Sequence, residues 1–128
     1  MRAGMSLGPL TVGPVSAEKM KIYAAILRDP NPIHWDRSEL AERGLGDRLI
    51  NQGPINLGYV VNMLAGASAG PQAIKRLTVR FGENVKEGDI VVAHGLVRAV
   101  EGNLATCEIW LELPSGQRAV EGTAIIEI

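Results

Sequence analysis

The chain predicts an α+β fold in which an antiparallel sheet wraps one buried apolar helix. Two observations carry this reading. From Ile74 onward apolar and polar residues alternate with a period of two, whereas before it apolar residues recur at helical spacing. The stretch from Ile55 to Ala69 is also apolar nearly all round, which suits a helix with no solvent face. A chain of 128 residues can bury one core without metals or disulfides, so residues 1–128 are expected to form a single domain.

Taken in order, Leu10 to Val15 is broken by Gly13 and Pro14 and can form only a short, irregular extended piece. Ser16 is placed to cap a helix over Ala17 to Leu27, with Glu18 in the first turn suiting the dipole. That helix must stop by Arg28, because Asp29 precedes a proline. A second short helix, about Arg37 to Arg43, ends at Gly44. Pro54 suits the first turn of the central helix, which runs to about Ala67, and Gly58, Ala65 and Gly66 along it would allow close approach. Leu77, Val79 and Phe81, then Cys107, Ile109, Leu111 and Leu113, then Val120, Gly122, Ala124, Ile126 and Ile128 mark the inward faces of strands. Turns at Lys86-Glu87-Gly88-Asp89, Glu101-Gly102-Asn103 and Pro114-Ser115-Gly116 predict hairpins, hence a four-stranded meander plus one short strand near the N-terminus.

Composition narrows the function classes. Hydrophobic residues make up 46% and charged residues 21%, which argues against disorder, and a net charge of −1 gives no electrostatic footprint for nucleic acid. Cys107 is the only cysteine, so no internal disulfide, zinc knuckle or CxxC motif can be built, and no metal ligand cluster is evident. No secretion signal or run of about 20 apolar residues is found, so neither a membrane nor export is predicted and a cytoplasmic setting is expected.

Asp29-Pro30-Asn31-Pro32-Ile33-His34 carries the chemistry of the sequence. The two prolines bias Asp29 and Asn31 away from the helical region, so a carboxylate and an imidazole are held five residues apart on a stiff loop. Asn31 is suited to bracing that loop through its backbone, leaving Asp29 and His34 for acid/base work. The same letters also make an ordinary helix-ending turn with a solvated Asp/His pair. His94 reads as core or interface packing, Cys107 as a small buried hydrophobe, and Trp110, on the polar face of its strand, as an interface marker.

With Trp35-Asp36 following, this segment resembles the D-x-N-P-[IL]-H-x-D signature of the MaoC-like, or (R)-specific enoyl-CoA hydratase, family of hotdog proteins. Gly53 at the start of the central helix, and Arg80-Phe81 with Val85 and Gly88-Asp89-Ile90, resemble two further family patterns, so the likeness runs from Ser16 to Ile128. The resemblance implies that Asp29 and His34 hold one water for addition across a trans-2-enoyl-CoA, giving a (3R)-hydroxyacyl-CoA, or for the reverse dehydration. It also implies that the Gly53 N–H stabilises the thioester oxygen. It implies substrate contacts for Asn31, Gln52 and Arg28, the last either reaching a coenzyme A phosphate or standing solvated at its helix end. No cofactor is implied beyond the thioester substrate, carried on coenzyme A or an acyl carrier protein, and a homodimer is expected.

The chain departs from the family at Gln52, where His is usual, at Asn84, where Pro is usual, and at Leu27-Arg28, where small residues are usual. These departures bear on substrate shape and remove no reacting group. Two rival classes stand beside the hydratase: a subunit of a heteromeric hydratase, and a hotdog thioesterase or non-catalytic acyl-thioester binding module. The absence of any Asp or Glu between Gly53 and Gly70 weighs against the thioesterase.

Overall fold

A computed structural model describes residues 1–128. One antiparallel sheet is built from β1 (Ser6–Val12), β2 (Ile74–Phe81), β3 (Val91–Glu101), β4 (Leu104–Glu112) and β5 (Arg118–Glu127), in the spatial order β1-β3-β4-β5-β2. The helices are α1 (Ala17–Leu27), α2 (Arg37–Glu42) and α3 (Gly53–Gly66), and α3 packs against all five strands. The period-two residues on the sheet's inner face, among them Val91, Ala93, Val97, Cys107, Ile109, Leu111 and Ala124, are fully buried with Val60 and Leu64 of α3. Burial accordingly pushes the Cys107 thiol pKa up.

Three expectations need correction. The strands are not a simple meander: β2 pairs with β5 along its whole length, from Ile74↔Ile126 to Phe81↔Val120, and not with β3. The turns at Glu101–Asn103 and Pro114–Gly116 do close hairpins, but Lys86–Asp89 lies on a crossover between opposite sides of the sheet. That crossover is anchored at Val85, which is fully buried and whose carbonyl accepts the Asn51 N–H at 2.7 Å. The N-terminal strand, secondly, starts at Ser6 rather than Leu10. Its register against β3 shifts between Leu7 and Leu10, so Gly8-Pro9 is absorbed in an irregularity of an edge strand, where a missing N–H costs little.

The third correction concerns α3, which buries one face only. Asn56, Val60, Met63 and Leu64 are buried, while Leu57, Gly58, Tyr59 and Val61 stay partly exposed, because the sheet curves around one side of the helix. Nothing lies within 4 Å of a side chain placed at Gly58 or Gly66, so the close approaches are elsewhere. They occur in the sheet at Gly95 and Gly122, and just past strand ends at Gly13 and Gly82.

The outer face of the sheet is polar and laddered. Arg98 and Arg118 both pair with Glu108, and Arg80 and Arg118 with Glu121. The Arg80 and Arg98 guanidiniums hold the Glu121 and Glu108 carboxyls below the usual carboxylate range. Trp110 lies between the Arg118 guanidinium, 4.4 Å from its ring, and the ring of His94, stacked at 5.2 Å. His94 is therefore on the outward face, not in the core, and its Nε2 lies 3.8 Å from Glu112.

Candidate active site

The site begins where α1 ends. Arg28 N–H donates to Ala25 O and Asp29 N–H to Ala24 O, the paired bonds of a Schellman stop. Such a stop needs a left-handed residue, and Arg28 supplies it at φ 52°, ψ 40°, as the sole non-glycine residue with positive φ. Glycine would hold this conformation without the clash of a Cβ. Arg28→Gly is therefore expected to raise stability by about 1 kcal/mol in urea unfolding. A loss of stability would mean that the arginine side chain makes good the strain.

Beyond Arg28 the prolines shape the loop as expected. Asp29 Oδ1 accepts the Asn31 N–H at 3.0 Å, and Asn31 Oδ1 accepts the Ile33 N–H at 3.4 Å, capping a single 3-10 turn over Pro32–His34. Asn31 Oδ1 also accepts from the Arg43 guanidinium at 3.4 Å, so this side chain braces the loop. The turn delivers His34 into the protein, where it is only 6% exposed.

His34 is held at both ring nitrogens. Its Nδ1 lies 2.6 Å from the carbonyl of Ile50, which only accepts, so Nδ1 carries a hydrogen and donates it. Nε2 is then the nitrogen left free of the backbone, and it lies 3.1 Å from Asp29 Oδ2. Two lone pairs facing each other would repel, so this contact holds one shared proton, or opens to take a water between the two groups. The Asp29 side chain keeps 32% of its surface exposed, so the pair is buried on the histidine side and reachable on the carboxylate side.

The segment that receives His34 leads straight into α3. Ile50 N–H donates to Ile33 O at 3.0 Å, and Ile50 also bridges to Lys86, which ties the Pro32–His34 turn to the crossover. Nearby, Glu87 accepts from Leu49 N–H and from Arg37; burial pushes its carboxyl pKa up, but these donors outweigh it and hold it below the usual range. Asn51 donates through Nδ2 to Asn56 Oδ1 at 2.9 Å and to the Tyr59 hydroxyl at 3.0 Å. Burial raises the Tyr59 pKa, so the phenol stays protonated and can donate in turn. Gln52 is wholly buried, and its Nε2 donates to Met20 O at 2.9 Å, tying α3 to α1. Gly53 opens α3, and its N–H makes no hydrogen bond within the chain. The Phe81 ring lies 3.5 Å from where a Cβ on Gly53 would stand.

The structure thus brings Asp29, Asn31 and His34 together directly, and reaches Gln52 and Gly53 within three residues of the Ile50 carbonyl. Arg28 is exposed beside Asp29. Sequence reasoning missed Ile50, because a backbone acceptor has no side-chain signature. It also missed the Asn51–Asn56–Tyr59 cluster, although two asparagines and a tyrosine at the start of an apolar helix are a readable signal.

Residues 3–106 match the family described as MaoC like domain. The chain belongs to that family. No curated protein matches the sequence. Among solved structures, the (R)-hydratase from A. caviae involved in PHA biosynthesis superposes with a TM-score of 0.88 at 24% identity, covering 100% of this chain and 97% of the other. One chain of the ChsH1-ChsH2 complex from Mycobacterium tuberculosis gives 0.83 at 24% identity, covering 98% and 97%. The HadBC (3R-hydroxyacyl-ACP dehydratase) complex from the same organism gives 0.69 at 18%, covering 98% and 96%. At these identities the likeness is one of fold, and this MaoC-like chain has the hotdog fold that its resemblance implied.

Proposed function

We propose that this MaoC-like protein adds water across the double bond of a trans-2-enoyl thioester to give the (3R)-hydroxyacyl thioester, or runs the reverse dehydration. The observation that carries this reading is the contact of His34 Nε2 with Asp29 Oδ2, with Nδ1 already committed to Ile50. A water held between the two groups gives its oxygen to C3 and one proton to the dyad. The dyad's proton then goes to C2, so that one water is added in all. Negative charge gathers meanwhile on the thioester oxygen, and the free N–H of Gly53 at the head of α3 is suited to receive it. Asn31 keeps the loop in shape, and Gln52 fixes the start of α3. No cofactor enters these steps.

The test is to follow loss of the conjugated thioester absorbance with a short trans-2-enoyl-CoA and to resolve the configuration of the product. A (3R) product supports the reading; a folded protein that turns over no chain length, alone or with a second hotdog chain, overturns it. Gly53→Ala separates the oxyanion role from folding. A Cβ there meets Phe81 at an ordinary van der Waals distance of 3.5 Å, so stability should hold, while turnover falls about tenfold or more as the methyl blocks the thioester. Unchanged turnover would remove Gly53 from the site.

One observation favours an assembly. The outer edge of β2 is unpaired, and Leu57 and Val61 of α3 remain partly exposed, which suits pairing with a second copy or with another hotdog chain. Sedimentation of the purified chain tells a homodimer from a lone subunit that needs a partner.

A further inference from the structure

The dyad makes no use of the outward face of α1. Met20 and Ala24 face inward, while Ile22 and Ile26, one turn apart, are 56% and 71% exposed. Leu27 and, on the turn packed against α1, Trp35 are exposed as well. Lys19, Lys21 and Arg28 surround them, all exposed and none in an ion pair. The nearby cations on the other side of the loop are different: Arg37, Arg43 and Arg48 are each satisfied by Glu87, Glu39 and Asp89. Glu18 is the one acidic residue of the helix.

We infer that this face of α1 docks an acidic carrier protein that presents the acyl group as a thioester on a phosphopantetheine arm. The inference deepens the hydratase reading and rests on it. Three free cations around two aliphatic side chains complement an acidic partner with an apolar centre, the cations speeding encounter and the isoleucines giving the desolvated contact. The helix, about 16 Å long, ends two residues before Asp29, so a carrier seated on it holds its arm within reach of the dyad at high effective concentration. Arg28 fits the same role: its backbone is strained and its side chain has no partner within the chain.

The test uses a carrier protein charged with a short trans-2-enoyl group, and the same group on coenzyme A. Carrier binding is titrated with wild type and with the Lys19→Glu/Lys21→Glu double variant, whose exposed positions should leave the fold intact. The expected result is about a tenfold rise in Kd and in KM for the carrier-bound substrate, with kcat and the coenzyme A kinetics unchanged. Glu18→Gln should shift carrier binding the other way, about twofold tighter. The inference is overturned if the carrier does not bind wild type, if it binds the double variant equally well, or if vesicles containing phosphatidylglycerol bind α1 and the carrier does not. Failure of the hydratase reading looks different: neither thioester is turned over by wild type, and the titration alone decides whether α1 docks the carrier.

Discussion

Asp29→Asn and His34→Ala should each lower hydration of a trans-2-enoyl thioester by about a thousandfold, within the range that positioned acid/base groups supply. The asparagine is nearly isosteric and keeps an oxygen for the Asn31 N–H, now 3.0 Å from Asp29 Oδ1, so the loop should hold its shape. What it loses is the negative oxygen 3.1 Å from His34 Nε2, and with it the ability to share a proton on that line. His34→Ala acts differently on the fold. It removes the 2.6 Å bond to Ile50 O and leaves a carbonyl without its partner, costing about 1–3 kcal/mol alongside the loss of chemistry. Because the two groups handle one water, the double variant should be little worse than either single one. Activity retained in Asp29→Asn, or losses that multiply in the double variant, would mean that the two residues do not act as a unit.

What could be read from the sequence is what depends on neighbours in the chain. Pro30 and Pro32 constrain the residues just before them, so the break after α1 that carries Asp29 and Asn31 was legible from six letters, though the 3-10 turn over Pro32–His34 that delivers His34 was not. The hairpins at Glu101–Asn103 and Pro114–Gly116 were legible because their strands pair across a few residues. The same turn letters at Lys86–Asp89 misled, because the partner of β2 lies some forty residues on, in β5, and a local pattern holds no record of distant register. Arg28 was read as the end of α1, but not as a left-handed residue, since that conformation is signalled by glycine and this chain has none there. The acceptor of His34 was illegible for a simpler reason: every residue has a carbonyl, and only the fold chooses that of Ile50.

Gly122→Ala should be the most damaging single methyl group in the sheet, costing about 3 kcal/mol or more. A Cβ on Gly122 would lie 2.0 Å from Thr78 O and 2.8 Å from Val79 Cα, and both are backbone atoms of β2 that no rotamer change can move aside. Gly122 pairs with Val79 on one side and Ile109 on the other, so β5 is held in the interior of the sheet and the edge strand must give way. The site is linked to this shift, because β2 carries Phe81, whose ring packs at the first residue of α3. Gly58→Ala is the control: that position lies within α3 with nothing inside 4 Å, and alanine should stabilise the helix by about 0.5–1 kcal/mol. Urea unfolding of both variants tests the contrast. If Gly122→Ala cost less than about 1 kcal/mol, β2 would have slack against β5, and the packing of Phe81 over Gly53 would no longer follow from the register of the sheet.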